Sequence, residues 1–504
     1  MRERLLIRLA SRPEGYRYTL GRVLAVYAAL MVTLFFAALD QTIVVTALPR
    51  IVADIGGLTS YSWIVTAYML ALTVTVPVYG KLVDVHGPRG PFLVAIGLFL
   101  AGSALCGLAQ TMPQLVAFRA LQGIGAGGVF PIALSTVGGL VPPRERGRYQ
   151  GLIGATFAGA AIGGPPLGGV IVDNASWRWI FYVNLPLGVL AFAAIALTLP
   201  REALRRKRSV DWAGATLLGA GTAALLLALV CGGHEYAWSS AEVVGAFVGA
   251  ASLLAAFALL ERRVPETILP FEILRGRTAA VGTLSLWLIG MTMLGTIVYV
   301  PLFVQGVLGK SATSAGVIVV PFMLSAVVAS VLSGQWVSRT GRYKAVAVAG
   351  LAVLAAGLLL VWRMDESTGG GEVARNAVIA GVGLGLAMQV LIVAVQNAVS
   401  LETMGSATAL VHFSRSIGGT LGVTLMGVIV ARDLPRGVEV HGPLPDPVPP
   451  GIEHALAVAL RPAFLFAACA CAAALLLVAV GLREERLRRS LEEEPEATAV
   501  RSAL

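Results

Sequence analysis

The sequence predicts an all-α, polytopic membrane protein, and three observations carry that prediction. The chain has 504 residues, is 57% hydrophobic and only 13% charged, with a mean hydropathy of +0.81; an average soluble chain carries about 25% charge. Apolar runs near spanning length recur from end to end, and a bilayer core takes ~20 apolar residues of helix. Basic residues concentrate on alternate loops, the asymmetry that orients membrane proteins.

Fourteen spans are expected, at 23–48, 62–80, 92–109, 114–138, 150–172, 180–199, 212–231, 242–260, 279–304, 314–337, 345–362, 376–399, 406–431 and 462–482. The first runs from Val23 to Leu48 between Arg22 and Arg50. It is too long for a cleaved leader and lacks a small-residue cleavage site. Asp40 is its one charge, and by this segmentation no other span buries an acid. A charge at that depth costs at least ~2.5–3.5 kcal/mol by insertion scales and usually lines an ion or substrate path. With the amino terminus inside, about 28 of the 38 Lys and Arg fall on cytoplasmic segments and about 8 outside. The net charge of +10 is thereby explained by topology and lipid attraction, not nucleic acid. An even span count puts both termini in the cytoplasm.

Two short loops echo one another. Gly80-Lys-Leu82-Val-Asp84-Val-His-Gly87-Pro-Arg89 ends span two, and Gly334 to Lys344, with Arg339, Gly341 and Arg342, ends span ten. Each places a Gly seven residues after a Gly, the sign of two related halves with sites between them. The organisation expected is a cytoplasmic tail (1–22), a six-helix half (23–199), a linker with two inserted helices (200–278), a second six-helix half (279–482) and a tail (483–504). An external, Pro- and Gly-rich segment at 432–461 interrupts the second half. The four cysteines show neither metal-ligand nor disulfide spacing, so no metal is expected. Nucleotide-binding loops and nucleophile–base arrangements are absent, which argues against an enzyme or ATP-driven pump.

The chain resembles the major facilitator superfamily, and within it the fourteen-helix drug:proton antiporters. The loop residues Gly80, Leu82, Asp84, Gly87 and Arg89 are similar to the family's loop signature, though the basic residues usual at positions 85 and 88 are here Val85 and Pro88. Span five carries Gly164-Pro165-Pro166-Leu167-Gly168-Gly169, which resembles the antiporter motif. The stretch Leu39-Asp40-Gln41-Thr42-Ile43-Val44 resembles span one of those antiporters, and Trp177-Arg178-Trp179-Ile180-Phe181 with Asn184 and Pro186 the entry to their span six. Phe118-Arg119 through Gln122-Gly123 resembles the span-four motif.

The resemblance implies a major facilitator fold, no cofactor beyond the proton gradient, and a monomer in a bacterial inner membrane. It implies export of small hydrophobic or cationic drugs in exchange for protons. Export of an endogenous metabolite or lipid, or a non-transporting sensor, is the alternative. At 1.5 Å per residue, Asp40 lies ~13 Å and Arg119 ~9 Å from the external ends of their helices, so the two share a depth and are expected to pair. Asp84 is expected to accept hydrogen bonds from Arg89 or from a neighbouring helix amino terminus. Pro165 should kink span five, with Gly164, Gly168 and Gly169 allowing close approach between the halves. Tyr68, Gln122, Tyr299, Gln305, Gln389, Gln396, Asn397, His412 and Arg415 are further polar candidates for a pocket, each with helix–helix hydrogen bonding as the alternative.

Overall fold

In hydrocarbon every backbone amide must find its partner inside its own segment, so long apolar runs fold as helices. The computed structural model describes residues 18–56, 63–200, 210–233, 236–264, 267–269, 272–310, 312–433 and 452–488, and among these it contains no strand. The helices are α1 Leu20–Ile55, α2 Trp63–His86, α3 Arg89–Leu108, α4 Met112–Leu140, α5 Pro143–Asn174, α6 Trp179–Tyr182, α7 Asn184–Thr198, α8 Trp212–Cys231, α9 Ala241–Glu261, α10 Arg277–Gly306, α11 Ala312–Thr340, α12 Lys344–Trp362, α13 Gly370–Asn397, α14 Met404–Asp433 and α15 Ile452–Gly481.

Thirteen segments among the described residues are long and apolar enough to cross a membrane, with α6 and α7 counted as one. The fourteen expected differ by α5. At 32 residues it is long enough, but Gly, Ala and polar side chains dilute its apolar character. Span six breaks at Val183. Pro186 has no amide proton and sits in the first turn of α7, where none is needed. Several helices outrun their predicted ends, α1, α2, α5, α13 and α15 among them. α1 continues to Ile55 before Gly56 turns left-handed at φ 73°. α15 begins at Ile452, so the last ten residues of the expected irregular segment 432–461 are helical. Leu456, Ala459 and Leu460 explain this, since all three are buried in the core. Residues 434–451 lie outside the described set.

The core divides in sequence order. One apolar cluster draws on α1 to α5 and α7, and a larger one on α10 to α15. Contact between these groups runs chiefly along α5 with α11 and α2 with α14. The inserted pair α8 and α9 lies on the second seam, where Ala215, Leu218 and Phe257 join Val76 of α2 and Ala409, Leu410 and Phe413 of α14. At the first seam the Gly147 Cα of α5 lies against Gly334 of α11, and a Cβ at Gly147 would come within 2.9 Å of the Gly334 Cα. Only glycine permits such backbone contact.

Candidate functional site

Asp40, mid-way along α1, is fully buried. Its Oδ2 accepts from Arg119 Nη1 of α4 at 2.8 Å, an ion pair with almost no exposure on either side. Its Oδ1 accepts from Gln122 Nε2 at 2.9 Å and from Asn184 Nδ2 of α7 at 2.7 Å. Every hydrogen bond that reaches the carboxylate among the described residues is therefore donated to it. Arg119 is held in turn by the Ile64 carbonyl at 3.2 Å and Gln122 Oε1 at 2.7 Å, with its guanidinium 4.1 Å over the Tyr68 ring. Ser103 Oγ supports Asn184 at 3.0 Å and donates to the Phe181 carbonyl at 2.9 Å. Four helices thus converge on one acid.

Asn184 and Ser103 were not among the expected site residues. An amide carries no desolvation signature like that of a charge, so the only sequence hint was the place of Asn184 in the motif that opens with Trp177-Arg178-Trp179. That motif also clamps the far end of α1, ~21 Å along the helix from Asp40: Trp177 Nε1 and Arg178 Nη1 both donate to Asp54 Oδ2 at 2.8 Å. The indole, and then the guanidinium, hold the Asp54 carboxyl below its ordinary range.

A second cluster forms where α2 ends. Asp84, expected to meet Arg89 or a helix amino terminus, meets the latter. Its Oδ1 accepts from the Gly405 amide at 2.7 Å and its Oδ2 from the Ser406 amide at 2.8 Å, at the first turn of α14. Those amides lack intrahelical partners and carry the positive end of the helix dipole. Arg89 instead donates to the Ala196 carbonyl of α7. Gly80 packs on the same turn, against Gly405 and Ala409. Gly87 takes φ 74° and Gly341 takes φ 71°, each closing its helix by an N–H hydrogen bond to the carbonyl four residues back, 2.9 and 2.8 Å. The sequence echo is thus a structural one. Asp84 is buried, as is Glu261, whose Oε1 accepts from the Ile268 and Leu269 amides. Among the described residues Asp40 is accordingly not the only buried acid, but Asp84 and Glu261 lie at helix ends, where backbone amides receive them.

The span-five motif lies elsewhere than expected. Gly164 packs on Thr42 of α1, which donates to the Ala160 carbonyl at 3.0 Å. Gly168 is buried and Gly169 faces open space. α5 remains helical through Pro165, whose side chain lies outside the described set. The close approach to the opposite helix group is made by Gly147 and Gly151, where α5 begins.

The remaining pocket candidates separate. Tyr299 donates to the Val423 carbonyl at 3.0 Å, joining α10 to α14. Gln305 is half-buried near the end of α10, and Gln389 is buried in α13. Gln396 and Asn397 are not mid-span, because α13 ends there. Gln396 donates to Thr408 Oγ1 at 3.0 Å, while Asn397 binds the Arg486 carbonyl and the Arg488 amide of the following tail. His412 and Arg415 meet each other on α14, 3.3 Å apart.

The profile of the Major Facilitator Superfamily matches residues 30–423. The chain belongs to that family. It is 40% identical over 80% of its length to 74% of the multidrug transporter protein MdtP of Bacillus subtilis (strain 168). It is 37% identical to multidrug resistance protein 3 of the same organism, covering 80% of this chain and 79% of that one. An uncharacterized MFS-type transporter of Mycobacterium tuberculosis is 40% identical over 84% of this chain, which spans 62% of that relative. Among solved structures, a proton:xylose symporter superposes with a TM-score of 0.65 at 12% identity, over 95% of this chain and 99% of its own. A human organic anion transporter does so with a TM-score of 0.63 at 15% identity, over 90% and 99%. These likenesses fix the fold. Family membership makes the chain a membrane transporter of small molecules rather than an enzyme.

Proposed function

We propose that this chain exports hydrophobic drugs or metabolites across a bacterial inner membrane in exchange for protons, working as a monomer with both termini in the cytoplasm. The multidrug names of its relatives support the substrate class. The observation that carries proton coupling is the buried carboxylate of Asp40, met by donors from three residues and paired with Arg119. On a positive-inside topology the end bearing Gly87 and Gly341 is cytoplasmic. Asp84 on α14 and Gly147 on Gly334 join the two helix groups at that end, which supports reading this state as sealed toward the cytoplasm.

The coupling follows from charge. Ionised Asp40 holds Arg119, Gln122 and Asn184 and so fastens α1 to α4 and α7. A proton arriving from outside removes the charge that Arg119 answers, the network loosens, and the halves rock. On the inner side the proton leaves at lower acidity and the network re-forms. Each proton moving inward contributes ~1.4 kcal/mol per pH unit and ~2.3 kcal/mol per 100 mV.

The test is Asp40→Asn in proteoliposomes. The neutral amide is expected to abolish gradient-driven efflux while downhill substrate exchange persists. Full gradient-driven efflux by the variant would remove Asp40 from coupling.

A further inference from the structure

The half of the bundle away from Asp40 holds a second charged site, and its balance is opposite. His412 and Arg415 lie nearly one turn apart on α14, well inside a span. Arg415 Nη2 approaches His412 Nδ1 at 3.3 Å. A guanidinium only donates, so Nδ1 must accept and the ring proton sits on Nε2. That Nε2 is buried with no partner, and so is Arg415 Nε. Both unanswered atoms are therefore N–H donors.

The surroundings do not answer them. His412 is 6% exposed. Among the described residues no carboxylate stands within ion-pair distance of Arg415, whereas Arg119 at the other site is matched by Asp40. The backbone of α14 here packs on α10 through Gly290, Gly418 and Gly422, so the helix is fixed and the side chains have a defined place. An unmatched guanidinium inside a membrane span is costly unless it meets a counter-charge or a water-filled path. Arg415 as a residue is half-buried.

We propose that His412 and Arg415 form a substrate subsite for an anionic oxygen, so that the exported compounds include amphiphiles bearing a carboxylate, sulfonate or phosphate. The inference rests on the transporter reading and specifies its substrate. An anion would accept from Arg415 Nε and His412 Nε2 together. A cation would meet an uncompensated positive charge, so the cationic preference that the resemblance suggests is reversed at this subsite. Export of an anion in exchange for a proton also moves charge in the direction an inside-negative potential favours.

The experiment uses two dyes on one xanthene skeleton, anionic fluorescein and a cationic rhodamine ester. Their equilibrium binding to the detergent-solubilised full chain is read by fluorescence anisotropy at mildly alkaline pH. Wild type is expected to bind fluorescein the more tightly. Arg415→Gln should raise the Kd for fluorescein about tenfold or more, as when a charge-assisted hydrogen bond is lost, and shift selectivity toward rhodamine. Arg415→Lys, which keeps the charge, should recover part of the affinity, and His412→Ala gives a second, milder loss. A melting curve for each variant separates these effects from misfolding.

Tighter binding of rhodamine than fluorescein by wild type, or equal loss of both dyes in Arg415→Gln, would overturn the proposal. Competition by phosphatidylglycerol, itself an amphiphile bearing a phosphate, is expected at the same donors; fluorescein binding that neither it nor Arg415→Gln weakens would overturn the proposal equally. The transporter reading fails separately, as absence of gradient-driven movement of either dye in proteoliposomes. Anisotropy needs no gradient.

Discussion

At the residue scale, Asp40 is unusual less for its burial than for the uniformity of its partners. Arg119, Gln122 and Asn184 all donate, so the site is complete only while the carboxylate is ionised. A protonated Asp40 would need an acceptor for its new hydroxyl. Asn184 Oδ1 is buried and has no partner, so a turn of that amide about its last torsion would supply one. Asn184 can thus serve both protonation states, while Arg119 serves one. Replacing Asn184 with Leu removes a charge-assisted bond worth about 1.5–3 kcal/mol from the ionised form. Gradient-driven efflux should then fall by about tenfold or more, the rate equivalent of that energy. The check is the initial rate of gradient-driven efflux in proteoliposomes, beside a melting curve; an unchanged rate would reduce Asn184 to packing.

Among elements, the crossing of α5 with α11 is the most constrained. A Cβ on Gly334 would fall on the Gly147 carbonyl, and backbone cannot swing aside as a side chain does. Gly334→Val should therefore push the two helices apart at the end that Asp84 also closes. Overpacking of this kind costs about 1–3 kcal/mol, and each group of helices keeps its own core, so the variant should still fold. The expected outcome is a proton leak through reconstituted protein without substrate, measured with a pH-sensitive dye inside the vesicles. A tight, fully active variant would mean that the seal does not depend on this crossing. Two parts of this picture could be read from sequence. A charge in an apolar run is expensive, so Asp40 and Arg119 announced themselves, and helix length gave their common depth. The repeated Gly pair marked both turns. The rest was hidden for physical reasons. A helix amino terminus was one of the two partners expected for Asp84, but which helix was not legible, because the Gly405 and Ser406 amides that receive it are backbone donors with no residue signature. α5 disguised its length with glycine and alanine, and the clustering of glycines at 163–169 drew attention away from Gly147, where the seam lies.

Across the whole molecule, two helix groups meet at one end through several independent contacts. Asp84 holds the α14 turn, Arg146 of α5 donates to the Gln396 carbonyl of α13 at 3.2 Å, and Gly147 lies on Gly334. If alternating access moves the groups as bodies, all of these must part together, and one covalent tie across the seam should stop the cycle. Gly138 of α4 and Met404 of α14 suit such a tie. A Cβ on Gly138 would lie 3.2 Å from Met404 Sδ and 3.4 Å from its Cγ. Cysteines at both positions would therefore stand near the ~3.5–4.5 Å Cβ separation of a disulfide. Cys469 is exposed and Cys231 half-buried, so both are first replaced with Ser to leave the engineered pair. Oxidation of Gly138→Cys with Met404→Cys is expected to abolish gradient-driven efflux, and reduction to restore it, while each single variant stays active under both conditions. Continued transport by protein shown to be cross-linked would mean that this end of the bundle never opens, and that access alternates by some motion other than the rocking of two halves.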